Sequence, residues 1–220
     1  MCQENLLYIL KSVKFLLVTI DKYILIVYNL FYLPVVYKIG IIRMAAEMYK
    51  DDILNRLKAL DQHADLEFDG EGRFHVIIVG GGALVLRNYI SRSTDDIDVL
   101  EADKRLHGLM ERYDMNGGVN AHIFSFPYNY EDRAEPVWTG EKIDYFTASL
   151  EDIVISKICG GRDRDLEDLE EVVKDIDWEL LDNLANNEEE LNLISMSERG
   201  YLDFKACYES FKKRYYPCKD

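Results

Sequence analysis

The chain has 220 residues and is 48% hydrophobic, enough for one ordinary domain with an appendage and for a sizeable core. Its formal charge is −15, unevenly spread: residues 1–43 hold five Lys/Arg against two Asp/Glu, a net of +3, which leaves −18 for the remainder. So acidic a body repels phosphate backbones and argues against DNA or extended RNA as a partner, while a divalent cation can still bridge carboxylates to a triphosphate.

Residues 5–42 differ from everything that follows. The run Tyr23 to Tyr37 carries no charge, and Phe15 to Ile20 is also apolar, but Asp21 and Lys22 separate them. An uninterrupted span of about 20 apolar residues is what a membrane helix needs, and this falls short. No early basic region or small-residue cleavage site marks a signal peptide. Three readings stand side by side: a membrane-associated helix, a helical appendage packed on the domain, or a folded protein that begins near Met44 or Met48. Membrane contact is expected only if residues 5–42 are part of the protein. The expected organisation is an extension over 1–43, an α/β core over 44–150 and a helical subdomain over 151–220.

The next segment, Asp51 to Leu60, has apolar residues at Ile53, Leu54, Leu57 and Leu60, a helical spacing. Phe74 to Val79 is a short apolar, β-branched run that reads as a buried strand, punctuated by Gly80 to Gly82. Ala83 to Tyr89 reads as a short helix, Asp96 to Leu100 as a strand, and Lys104 to Tyr113 as a helix. Strands are expected at 121–126 and 142–147, with a variable loop between. Ser149 is an N-cap with Glu151 and Asp152 in the first turn, and the helix it opens ends at Gly160-Gly161. Further helices are expected over 163–176, 178–185 and 197–215. The last has a stripe of Tyr201, Phe204, Tyr208, Phe211 and Tyr215 that reads as core. This order predicts an α/β (α+β) domain, a mixed sheet flanked by helices with a helical C-terminal part.

The cysteines, Cys2, Cys159, Cys207 and Cys218, match neither a zinc spacing nor a disulfide framework, and read as free thiols of a cytoplasmic protein. His63, His75, His107 and His122 show no metal-ligand spacing.

Asp96-Ile97-Asp98 is the constellation that can carry chemistry. In a strand, residues i and i+2 point to one face, so both carboxylates project into one site with Ile97 buried behind. Two hard oxygen ligands suit Mg²⁺ (or Mn²⁺), which retains waters and completes its shell from phosphate. An isolated D-x-D in an acidic protein is usually solvated surface. The preceding strand and glycine turn raise its weight, because glycines let backbone approach phosphate closely. Arg92 can pair bidentately with a phosphate or with one of the nearby aspartates. Thr94 either joins the site or hydrogen-bonds the turn.

The stretch VGGGALVLRNYISRSTDDIDVL, Val79 to Leu100, resembles the glycine-turn and D-h-D signature of DNA polymerase β-like nucleotidyltransferases, h being apolar. It is most similar to bacterial families reading GG-x-AL…R-x-T-x-DID, among them the AbiEii/MenT-like toxins and related uncharacterised nucleotidyltransferases. SLEDIVISKICGGRDRDLEDL resembles their second block, and the two blocks together span residues 79–169. The resemblance implies a nucleotidyltransferase fold and transfer of an NMP from an NTP to an acceptor hydroxyl of a tRNA, a protein or a small molecule. Asp96 and Asp98 hold the metal, and Gly81, Gly82, Arg92 and Thr94 bind the nucleotide. Lys157 contacts its phosphates, with Asp165 and Asp168 matching the later acidic pair. A third catalytic carboxylate is not evident, and Asp144 is the best candidate. The same branch implies a possible antitoxin protein as partner.

Other readings remain open. The run KICGGRDRDLEDLEE is also what solvated charge pairing looks like. Without a third carboxylate, either Lys157 or the metal-bound hydroxyl has to compensate, or the chain is a degenerate nucleotide-binding or scaffold protein on the same fold. Gly80-x-Gly82 with a later acid partly imitates a dinucleotide fingerprint, but Val85 stands where its third glycine belongs.

Overall fold

Where it is described, the apolar N-terminal segment forms sheet. In a computed structural model that describes residues 13–20, 23–30, 38–43, 47–117, 125–187, 191 and 198–217, β1 (Val13–Ile20), β2 (Tyr23–Leu30) and β3 (Lys38–Arg43) build an antiparallel sheet in that order. β1 and β2 pair in continuous register from Val13↔Leu30 to Ile20↔Tyr23. This corrects the helical readings of residues 5–42 wherever those residues are described. The segment is rich in Val, Ile, Leu and Tyr, and β-branched and aromatic side chains favour a pleated chain. Among the described residues no helix is long and apolar enough to cross a membrane. The chain divides into two compact units, Met1–Glu47 and Met48–Asp220.

The second unit opens with α1 (Lys50–Glu67), which runs a further two turns past the expected Leu60. Ile53, Leu57, Leu60 and Ala64 recur on one face and are wholly buried. β4 (Phe74–Val79) follows as the central strand and leads directly into α2 (Gly80–Leu86). β5 (Ile97–Glu101), α3 (His107–Met110) and the two-residue β6 (Met115–Asn116) come next. Most of the strand expected at 121–126 lies outside the described residues, and Ser125 and Phe126 are not in a strand.

β7 (Glu135–Thr139) occupies what was expected to be loop. Pro136 disguises it, because proline cannot donate to a ladder; β7 is an edge strand whose register shifts between Pro136 and Trp138, a place that tolerates it. It hairpins to β8 (Ile143–Thr147). The sheet order is β6-β5-β4-β8-β7, with β4–β8 and β5–β6 parallel and β4–β5 and β7–β8 antiparallel. Asp61 of α1 locks the β7–β8 turn, accepting the backbone N–H groups of Glu141, Lys142 and Ile143 at 3.0, 2.9 and 2.8 Å.

α4 (Leu150–Gly160) begins and ends where its residues predict. The Ser149 hydroxyl accepts from the Asp152 N–H at 3.1 Å, and Gly161 ends the helix at φ 61°. This helix packs against α2, α5 (Asp163–Val172), α6 (Trp178–Asn186) and α7 (Glu198–Tyr215). Being covered on several sides, it buries Leu150, Ile153, Val154, Ile155 and Ile158. The aromatic stripe of α7 is core, as expected: Phe204, Tyr208 and Phe211 are buried, and Phe211 stacks on Trp178.

Candidate active site

The end of β4 and the start of β5 meet at the glycine turn. Val79 pairs with Asp98, and Gly80 then takes a left-handed φ of 64°. A Cβ on Gly80 would lie 3.1 Å from Asp98 Oδ2, so only glycine leaves that carboxylate its place. Gly82 is buried, and a Cβ there would lie 3.6 Å from the Asp96 carbonyl oxygen and Ile97 Cα. Ile97 is fully buried, which turns its two flanking acids outward. Asp96 sits just before the strand and is exposed; Asp98 is half-buried, and Asn116 of β6 donates to its Oδ1 at 3.3 Å.

Both acids line a cleft of about 470 Å³. α4 forms another part of its wall through Ile153, Ser156, Lys157 and Gly160, and the α4–α5 junction adds Arg162 and Asp165. Lys157 is held there by two carboxylates, its Nζ lying 3.0 Å from Asp165 Oδ1 and 2.6 Å from Asp168 Oδ2. Arg162 bonds Asp165 through Nε at 2.8 Å. Arg92 bonds both oxygens of Asp168, through Nε and Nη2, at 2.6 Å each. The network therefore sets three cations against two carboxylates. Of these cations, Lys157 and Arg162 share the cleft with Asp96 and Asp98.

Burial alone would raise the Asp165 carboxyl. The hydrogen bonds and charges of Arg162 and Lys157 together outweigh burial and hold it below its ordinary value. Cys159 also lines the cleft, and burial pushes its thiol up to about 12, so it stays protonated and unreactive at neutral pH.

The residues singled out in the sequence divide into three groups. Asp96, Asp98, Lys157 and Asp165 come together on the cleft. Gly81, Gly82, Arg92, Thr94 and Asp168 stand behind it. The glycine on the cleft wall is Gly80, Thr94 is buried and donates to the Asp96 carbonyl at 3.1 Å, and Asp168 is wholly buried. Arg92 and Asp168 pair with one another there, and Asp168 holds Lys157 as well. Arg92 does pair with an aspartate, but with one 76 positions away rather than a neighbour.

Asp144 belongs to a third place. It pairs in register with His75 near the start of β4, whereas Asp98 pairs with Val79 at its end. Four residues of strand separate those positions by about 13 Å, too far for one metal to share them. Arg73 engages both Asp144 oxygens, at 3.0 and 2.5 Å, and holds the carboxyl below its ordinary value. The expectation of Asp144 as third catalytic carboxylate is therefore corrected.

Among the described residues no group of three or more His, Cys, Asp or Glu gathers as a metal site. Asp96 and Asp98 nonetheless fit a hard divalent cation. They are two carboxylates on one open cleft with the Gly80 backbone leaving room beside them, and Mg²⁺ takes few protein ligands and keeps its waters.

The sequence reading missed Arg162, Asn116, Ser125 and Ser156. Arg162 lies between the α4 C-cap and α5, in a run that reads as solvated charge pairing. Ser156 carried a signal, since it lies three residues after Ile153 and directly before Lys157. Asn116 carried none, because a two-residue strand leaves no periodicity.

A five-stranded mixed sheet, flanked by helices and opening at a glycine turn onto a D-x-D pair, defines a nucleotidyltransferase fold. Residues 55–216 match the family model described as "Nucleotidyltransferase of unknown function (DUF6036)", and the chain belongs to that family. The description covers nucleotidyl transfer in general and names no nucleotide, acceptor or metal. No curated protein and no solved structure matches the chain.

Proposed function

We propose that the chain transfers a nucleoside monophosphate from an NTP to an acceptor hydroxyl, releasing pyrophosphate, with Mg²⁺ or Mn²⁺ held by Asp96 and Asp98. The observation that carries this reading is the single cleft on which that acidic pair faces Lys157 and Arg162. In the reaction the acceptor oxygen bonds the α-phosphorus as the α–β bridging P–O bond breaks, and the hydroxyl proton leaves to water in the open cleft. The bound cation would neutralise phosphate charge. Lys157 and Arg162 stabilise the charge that builds on the departing pyrophosphate, where fixed cations act most strongly. Asp168 and Arg92 keep Lys157 in position. Asn116 orients Asp98 through the hydrogen bond to its Oδ1.

The test is pyrophosphate release and label transfer from each NTP with Mg²⁺, using an RNA, a protein extract and small hydroxyl compounds as acceptors. Activity that Asp98→Asn abolishes supports the reading. Absence of both NTP binding and transfer, with Asp96→Ala changing nothing, refutes it.

A second reading is nucleotide binding without transfer. One observation favours it: Asp144, the acid expected to be third, is bound by Arg73 away from the cleft. Mg²⁺-dependent NTP binding with no pyrophosphate release from any acceptor would decide for it. Action as the toxin of a toxin–antitoxin pair rests on the sequence resemblance alone. Growth arrest on expression, relieved by Asp98→Ala, would support it, and harmless overexpression would refute it.

A further inference from the structure

We infer that the part of the cleft whose described lining carries no charge holds the nucleoside, and that the hydroxyl pair of Ser125 and Ser156 selects ribose over deoxyribose; the inference rests on the nucleotide-transfer reading above. α4 offers Ile153, Ser156, Lys157, Cys159 and Gly160 to the cleft, all but Cys159 at the spacing of a single helical face. At about 1.5 Å of rise per residue, Ile153 and Gly160 stand about 10 Å apart along the axis.

Charge is not even along that line. Lys157 stands toward the Gly160 end, with Arg162 and Asp165 just beyond. Arg133, bonded to both the Tyr128 carbonyl and Asp152, ties the segment of Ser125 and Phe126 to the Ile153 end, where the described lining, Ser156 included, has no charged side chain. Phe126 is fixed by packing on Tyr130, with ring centroids 5.9 Å apart. Between the two ends, Ser125 Oγ and Ser156 Oγ lie 3.1 Å from each other.

A nucleotide has the same order of parts. With its phosphates beside Lys157 and Arg162, its sugar falls one step back at Ser156, and its base reaches Ile153 and Phe126. The cleft volume of about 470 Å³ is of the size that small-molecule sites have. A serine hydroxyl has one donor and two acceptor positions, and the bond between the two serines uses only one position of Ser156. Ser156 therefore keeps positions with which to bond a sugar hydroxyl. A site built around a substrate hydroxyl discriminates against the analogue without it, because its own polar groups are then left unpaired. For half-buried serines the expected discrimination is about tenfold, the effect of one neutral hydrogen bond.

The experiment is calorimetric titration of the full chain, with Mg²⁺, against ATP, CTP, GTP, UTP and their 2′-deoxy counterparts. The preferred NTP should bind about tenfold more tightly than its deoxy form. Ser156→Ala should collapse that ratio toward one, and Ser156→Thr, which keeps the hydroxyl, should restore it. Ser125→Ala supplies the same readout if Ser156→Ala does not fold, as judged by its melting curve. Equal affinity for both sugars in the wild type, or a ratio that survives both alanine variants, overturns the inference and leaves the nucleotide reading intact. Failure of the wild type to bind any nucleotide overturns both.

Discussion

Asp168→Asn is the perturbation that most directly probes how the cleft is held. The carboxylate is wholly buried, takes both Arg92 contacts at 2.6 Å and lies 2.6 Å from Lys157 Nζ. Arg92 and Lys157 are themselves mostly sheltered, with side-chain exposures of 23% and 7%. The amide keeps the shape and removes the charge, leaving the three cations of the network with Asp165 alone. Breaking a buried pair from one side costs about 3–5 kcal/mol, because the abandoned charge remains desolvated. For a unit of this size each kcal/mol moves the midpoint by about 2–4 °C, so thermal unfolding followed by circular dichroism should show a drop of about 6–20 °C. Urea titration should show the same loss with an unchanged slope. Adding Arg92→Leu should recover part of the loss, since it removes one uncompensated cation, and the two changes should not add. A single variant within about 2 °C of wild type, or a strictly additive double variant, would refute the argument that Asp168 is the buried counter-ion of this network.

Gly80→Ala forces a side chain into a left-handed φ and against Asp98, so it should cost about 1–2 kcal/mol in stability and proportionately far more in nucleotide transfer. Gly82→Ala, with contacts no closer than 3.6 Å, is the control: equal losses of transfer in the two variants would contradict the role given to Gly80. Gly140→Ala places a methyl on the Asp61 carboxylate that locks the β7–β8 turn, and urea unfolding should show a loss of about 1–3 kcal/mol. Unchanged stability there would mean that Asp61 is free to move. Stability should also fall in acid. The carboxyls of Asp165 and Asp182 are held below their ordinary values despite burial, by Arg162 and Lys157 in the first case and by Lys212 and Tyr208 in the second. A depressed carboxyl contributes fully above its unfolded pKa of about 4, and that contribution disappears as pH falls through the folded value. Denaturant titrations from neutral pH downward should show the loss beginning near pH 4, and Lys212→Met should reduce the share due to Asp182, leaving the part that Tyr208 supplies.

What the sequence determined by itself about this protein is local. Ser149 and Gly161 bound α4 because a cap hydroxyl and a left-handed glycine act within one turn of chain. Phe74 to Val79 is a strand because an apolar β-branched run ends at glycine, and Asp96 and Asp98 flank a buried Ile97 because strand side chains alternate. Those features were enough to identify the fold and one wall of the cleft. The tertiary structure decided the rest. Asp144 has the right chemistry for a third acid, but the parallel register of β4 and β8 puts it opposite His75. Arg92 and Asp168 lie far apart in the chain, yet they meet across 76 residues, and Asp168 holds Lys157 as well. Arg162, Ser125 and Ser156 join the cleft only once the α4–α5 junction and the segment around Phe126 fold onto it. Periodicity and capping describe a residue's own helix or strand. Which carboxylate finds which cation is set by register and packing between elements, and no local pattern encodes that.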